Sequence, residues 1–343
     1  MKKKIIGMII VVVFSIVTLY LLLNSKEIAE FPELIKRLDI KFLIIAVLMM
    51  IIYLIINSTI IYVIGKEIND SITFKRSAYL SFVGQYYSLI TPFAAGGQPA
   101  QIFAMKNKYK IPYSVGTTIT VKKFLIFQVV VSLYAILMFF TKLHFVINNY
   151  SKLIVFIVLG LIVNLFGGLL IILLSYSKMI VVKILDFVIL IAKKLHLSKY
   201  IKREKIMTHI DDYVKNIDEI KNNKKTMVTL IVMTFIQLTV YFSITYFIYL
   251  SLGQDGAHYI DILAIQTIVY VVVSFIPTPG GAGASEGSFY LLFKVFFSRD
   301  ILLYAMALWR IIVYYGNMIL SGLILLGVRI VTYFKKKNYI EGH

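Results

Sequence analysis

The residues of this chain whose types and spacing suit chemistry are few, and they sit in apolar surroundings. The stretch 275–293, FIPTPGGAGASEGSFYLLF, carries two prolines, four glycines and one carboxylate, Glu286. Lipid offers no hydrogen bonds to broken backbone, so such a stretch at membrane depth must be buried in protein or line a wet cavity. A carboxylate beside the break is a functional-site candidate, as a proton carrier or as the partner of a cationic headgroup. A structural salt bridge to Arg310 is the bland alternative, compatible with the first. Arg310 falls about 14 Å along the span that follows, at 1.5 Å per residue, too deep to snorkel with ease. It needs Glu286, water or a lipid phosphate, and its planar fork suits a phosphate held by two hydrogen bonds. Lys123 is a third candidate, placed nearer a helix end.

The glycine pairs Gly96-Gly97 and Gly280-Gly281 let a headgroup approach the backbone. The half-helix after each pair would point free N–H groups and the positive dipole end at an anion. Gln98, with Gln85 and Gln101, is a candidate polar lining, and Tyr314 and Tyr315 either line a cavity or pack. Trp309 reads as packing, Lys122 as a snorkelling lysine on another helix face, and Asp261 as a solvated residue at an interface.

Other chemistries lack their residues. There is no G-x-x-x-x-G-K-[ST] phosphate loop, so no ATP motor is encoded. Gly281-x-Gly283 runs into Glu286 where a dinucleotide fingerprint needs glycine. The five histidines show no metal-ligand spacing. Ser285 has no paired base for nucleophilic catalysis, and the chain has no cysteine. The expectation is no catalytic residue, no metal and no cofactor.

The elements that must position these residues follow from composition. Of 343 residues 59% are hydrophobic, and the mean hydropathy is +0.85. That excludes a soluble domain and predicts an all-α polytopic membrane protein. The net charge of +19 then marks cytoplasmic loops and lipid headgroups rather than nucleic acid, because no aromatic-basic binding module accompanies it.

In order, the chain predicts a retained first span at 1–23 and an external linker to residue 40. A span at 41–65 follows, then a re-entrant hairpin at 77–104 broken by TPFAAGGQPA (91–100). Next come a span at 116–141, a short external loop at 142–152 and a span at 153–176. Residues 178–196 alternate apolar and charged residues as an interfacial helix does, and 197–225 is a basic cytoplasmic segment. A span at 226–252, a second broken hairpin at 262–298 entering from the opposite face, and a last span at 301–332 complete it. Most of the 36 Lys and Arg then lie inside, with both termini cytoplasmic in the cell membrane.

The two broken stretches are related. Aligning Thr91-Pro92 with Thr278-Pro279 carries 41–65 onto 228–252, 116–141 into the last span, and Lys123 onto Arg310. The glycine pairs do not superpose; Gly96 falls on Gly283. Span, broken hairpin and span with an embedded cation recur, and the single span between the copies inverts the second. That is an inverted-topology repeat, the architecture of transporters with a midplane site. The predicted single transmembrane domain divides into a first span and linker (1–40), repeat one (41–141), a linking region (142–225), repeat two (226–333) and a tail (334–343).

At these residues the chain resembles a known family. PTPGGAGASEGSFYLLF (277–293) looks like the P-x-P-G-G-x-G-x-x-E hallmark of the lysylphosphatidylglycerol synthase/flippase transmembrane family. TPFAAGGQPAQIFAM (91–105) and ALWRIIVYY (307–315) look like its other two signatures. The family usually carries an arginine in the span after the first hairpin; this chain has Lys122-Lys123, which keeps the charge and loses the fork. The resemblance implies a flippase for a polar or aminoacylated phospholipid such as lysyl-phosphatidylglycerol, without the cytosolic aminoacyl-tRNA-dependent synthase domain of two-part members. A component of lysyltransferase activity and a membrane partner for a separate lipid synthase are the alternatives. The expected partners are membrane phospholipid, such a synthase and a second copy in a homodimer, with no nucleic acid.

Overall fold

The computed structural model of the chain describes residues 38–176, 178–194, 207–208, 211, 223–274, 276, 278, 281 and 283–341. The predicted first span at 1–23, most of the basic segment at 197–225, and Gly280 lie outside them. The described residues are helical, with no strand. Among the described residues, four helices are long and apolar enough to cross a membrane: Ile40–Ile68, Tyr113–Thr141, Lys224–Ser251 and Arg299–Thr332. The chain is a multi-pass membrane protein. Helix is the natural solution for such sequences, because it satisfies every backbone group within the segment.

The first long helix, α1 (Ile40–Ile68), starts at Asp39, whose carboxylate accepts from the Lys41 N–H at 2.9 Å. The first hairpin follows as α2 (Phe74–Leu89) and α3 (Gly97–Tyr109). Next comes α4 (Tyr113–Thr141). The expected loop at 142–152 instead contains a short helix, α5 (Leu143–Tyr150), with Val146 and Tyr150 buried. Helix α6 (Ile154–Tyr176) and the amphipathic α7 (Lys178–Lys194) occupy their predicted places. Then come α8 (Lys224–Ser251) and the second hairpin, α9 (Tyr259–Val273) with α10 (Ala284–Phe293). The last span is α11 (Arg299–Arg310), one π turn (Ile311–Gly316) and α12 (Asn317–Glu341). The expected tail at 334–343 is thus largely a continuation of α12.

The alignment on the Thr-Pro pairs carries helices onto helices. Moved from Thr91 onto Thr278, α3 begins on the first residue of α10, and α1 overlies most of α8. The equivalent helices α1 and α8 pack along each other, and they run antiparallel. The Asp39 N–H at the start of α1 donates to the Ser251 carbonyl at the end of α8, at 2.8 Å. Further along, Gln237 Nε2 donates to Asn57 Oδ1 at 3.3 Å, and Asn57 donates to Ser81 Oγ at 2.6 Å, tying the seam to α2. Polar side chains of this kind hold helices together where lipid supplies no hydrophobic drive. Two apolar cores flank the seam. One gathers α9, α10 and α11 around Phe289, Phe293 and Trp309; the other gathers α1, α4 and α8 around Ile60, Ile64, Tyr134 and Phe242. Outward residues such as Ile44, Leu48, Ile55, Leu133, Leu137 and Phe156 are exposed apolar surface, as lipid contact requires.

Candidate functional site

The two breaks are built differently. In the first, Phe93 (φ 54°) and Ala94 (φ 53°) turn the chain through the left-handed region, which costs non-glycine residues about 1–2 kcal/mol each. Its glycines serve packing. A Cβ on Gly97 would stand 2.1 Å from Ser88 Oγ and 2.8 Å from the Gly84 carbonyl, so α3 can lie against α2 only with glycine there. The Gly96 N–H donates to Thr91 Oγ1 at 2.9 Å, and Thr91 donates to the Tyr87 carbonyl at 2.6 Å. The threonine of the Thr-Pro pair therefore stitches the break shut. Gln98 opens α3 half-buried.

In the second break, glycine supplies the turn: Gly281 has φ +70° and Gly283 φ +79°. Helix α10 then starts with a carboxylate cap. Glu286 Oε2 accepts from the Gly283 N–H at 2.7 Å and lies 2.9 Å from Ser285 Oγ. Its other oxygen meets Arg310: Nε to Oε1 is 2.8 Å. Glu286 thus caps the half-helix and neutralises the arginine at once. A negative group in the first turn also suits the helix dipole.

Arg310 is 4% exposed. Its guanidinium lies 4.2 Å from the Tyr314 ring centre and 5.9 Å from that of Tyr315. Two successive tyrosines reach one guanidinium because the π turn begins at Ile311 and widens the spiral. The same turn needs Gly316, where a Cβ would stand 2.8 Å from the Ile311 carbonyl. The Tyr314 hydroxyl donates to the Leu89 carbonyl at the end of α2, at 3.2 Å, linking the arginine's surroundings to the first hairpin. Trp309 stacks on Phe289 at 5.1 Å and packs, as expected.

Of the adjacent lysines of α4, Lys122 departs from the sequence reading. Lys122 does not snorkel: it is 5% exposed and holds Glu67 Oε2 at 2.7 Å. Adjacent positions on a helix differ by about 100°, and both faces of α4 meet protein. Lys123 is half-buried and has no charged or hydrogen-bonded partner among the described residues. It stands about 15 Å from the start of its helix, deeper than the sequence implied.

Two other readings are corrected. Asp261 is not solvated; it is 7% exposed and pairs with Lys142 at 2.8 Å. Gln101 lines no cavity; it is buried and donates to the Leu80 carbonyl at 2.9 Å inside the first hairpin. Gln85 donates to the Tyr53 hydroxyl at 3.0 Å.

Sequence reasoning missed the aromatic contacts that join α1, α8 and α9. Tyr53 of α1 contacts Tyr241 of α8 at 5.1 Å between centroids, and Tyr241 meets Tyr270 of α9 at 6.0 Å. Tyr270 meets Phe127, one turn beyond Lys123, at 6.3 Å. Each of these tyrosines is half-buried. Among the described residues no group of three His, Cys, Asp or Glu side chains is placed to hold a metal ion.

Comparison with known proteins fits this architecture. Residues 8–321 match the family described as lysylphosphatidylglycerol synthase TM region. A UPF0104 membrane protein of Archaeoglobus fulgidus is 23% identical over 301 residues, covering 85% of this chain and 88% of the relative.

Proposed function

The chain belongs to the lysylphosphatidylglycerol synthase transmembrane-region family, and from that premise we propose that it moves a polar phospholipid between leaflets. The headgroup passes through the crevice between the two halves while the acyl chains stay in lipid. Arg310, poised on Glu286 and flanked by Tyr314, exchanges its carboxylate for the lipid phosphate, and Lys123 holds the headgroup from the other half. Gln98, the close-packed Gly96 and Gly97, and the turn at Gly281 border the path. The halves are inverted copies with both termini cytoplasmic in the cell membrane, and rocking one against the other alternates access.

The observation that carries this reading is the buried Arg310–Glu286 pair at the start of a broken half-helix. An ion pair at membrane depth is costly and marks a substrate pathway by default. The antiparallel course of α1 and α8 supports the inverted repeat, because equivalent helices of inverted copies must run oppositely.

The test is reconstitution of the full chain in vesicles carrying a fluorescent phospholipid in both leaflets, with an impermeant quencher outside. Translocation makes the inner-leaflet probe available to the quencher. The expected result is rapid loss of all fluorescence with the parent protein and a rate at least about tenfold lower with Arg310→Ala, as losing one charged hydrogen bond implies. Equal rates in protein-bearing and protein-free vesicles would reject the proposal.

A further inference from the structure

The two hairpin breaks share a turn and part company at one hydrogen bond. On the Thr-Pro alignment Ala94 falls on Gly281, and both are left-handed, at φ 53° and φ 70°. The N–H of each donates three residues back: Ala94 to the Thr91 carbonyl at 3.2 Å, and Gly281 to the Thr278 carbonyl at 3.1 Å. The helices that follow also open alike. The Ala100 N–H donates to the Gly96 carbonyl at 3.1 Å, and the aligned Gly287 N–H to the Gly283 carbonyl at 2.9 Å.

Within this shared turn the threonines differ. Thr91 Oγ1 accepts from the Gly96 N–H at 2.9 Å. The aligned pair is Thr278 and Gly283, yet the Gly283 N–H goes to Glu286 Oε2 at 2.7 Å. Thr278 Oγ1 is left sealed from solvent with no hydrogen-bond partner. A buried hydroxyl in that state bears the cost of its lost hydration, and native structures rarely keep one without a use.

The backbone explains where the donor went. Gly96 has φ −77°, whereas Gly283 has φ +79°. Glycine adopts either sign with similar ease. A Cβ on Gly283 would meet nothing within 4 Å, so glycine serves there for its backbone freedom and not for space. The first break has no such choice, because the residue aligned with Glu286 is Pro99, whose side chain offers no acceptor.

We infer that Thr278 is the positioning residue of a second state of this break, in which Gly283 turns over to the backbone of Gly96 and its N–H passes from Glu286 to Thr278. The Gly283 N–H is satisfied in both states, so neither strands a buried donor. Glu286 loses the bond that fixes Oε2 at the helix start and is left with the Ser285 hydroxyl. Its carboxylate is then free to swing from Arg310, which opens the guanidinium to phosphate. This rests on the translocation reading and names the residue that lets its arginine go.

A double-mutant cycle on the full chain in detergent tests the toggle without any transport. Thr278→Val removes only a partnerless hydroxyl from the Glu286-capped state, so the thermal midpoint is expected to hold or rise. Gly283→Ala disfavours a positive φ and drives the break into the Thr278-bonded state. In that background Thr278→Val is expected to lower the midpoint. Equal shifts in both backgrounds would overturn the inference. In vesicles with a fluorescent phospholipid and an external quencher, Thr278→Val is expected to slow translocation about fivefold, the worth of one neutral hydrogen bond. Thr278→Ser keeps the hydroxyl and is expected to keep the parent rate. A parent rate in Thr278→Val would overturn the inference and leave translocation standing. If no phospholipid crosses with the parent protein, the translocation reading falls, and the midpoint cycle still decides whether the toggle exists.

Discussion

The two hairpin breaks solve one problem with opposite assignments. In the first, non-glycine residues, Phe93 and Ala94, take the left-handed turn, and the glycines are spent on close packing of α3 against α2. In the second, Gly281 and Gly283 take the turn, and the tip is secured by Glu286 and through it by Arg310. The first break is closed by a neutral hydroxyl, Thr91, and carries no charge; its half places the buried ion pair elsewhere, between Glu67 and Lys122. Two breaks that align on their Thr-Pro pairs are therefore electrostatically unlike. The second break is held by groups that a phosphate can compete for, and the first by groups that it cannot.

That contrast is open to substitution. The largest effect is expected from Arg310→Ala, which leaves Glu286 buried without its cation and costs about 3–5 kcal/mol, read as a lowered thermal midpoint in detergent. Adding Glu286→Gln to it should recover part of that loss, because the stranded charge is gone. Next comes Gly97→Ala, whose methyl meets the Gly84 carbonyl as well as Ser88; overpacking of this kind costs about 1–3 kcal/mol. Gly287→Ala is its control one turn into α10, with open space around the new methyl, and should be neutral or stabilising by up to about 1 kcal/mol. Thr91→Val removes the acceptor of the Gly96 N–H and should cost about 1 kcal/mol. The smallest effect has the opposite sign: Ala94→Gly relieves a left-handed alanine and should raise the midpoint by the equivalent of about 1 kcal/mol. If Gly97→Ala were silent and Thr91→Val severe, the division of labour at the first break would be reversed.

Much of the scaffold was legible because bilayer physics writes it plainly. Long apolar runs, Pro and Gly clusters and the Thr-Pro alignment located both hairpins, and the alignment carried α3 onto α10 to the residue. The Glu286–Arg310 pair was also readable, since each buried charge needed a partner and few were within reach. What remained hidden is what spacing does not encode. Lys122 and Lys123 are neighbours on a helix packed on several sides, so no polar stripe said which faced Glu67. Tyr53, Tyr241, Tyr270 and Gln85 come from four different helices with no common period, and in a chain of 24 tyrosines each tyrosine reads as packing. The Asp261–Lys142 pair was missed because residues 142–152 read as a solvated loop, where α5 and its surroundings bury the contact. The signal available for it was weak: Asp261 opens α9 in an otherwise apolar first turn.

The central claim is that one crevice is shared by two oppositely oriented halves. The chain has no cysteine of its own, so single cysteines report orientation without background. Asn107→Cys, exposed at the end of the first hairpin, and Asp255→Cys, exposed in the turn before the second, are treated in intact cells with a membrane-impermeant maleimide. The account predicts that Asp255→Cys is labelled from outside and that Asn107→Cys is labelled only after the cells are opened. Labelling of both positions from the same side would contradict it.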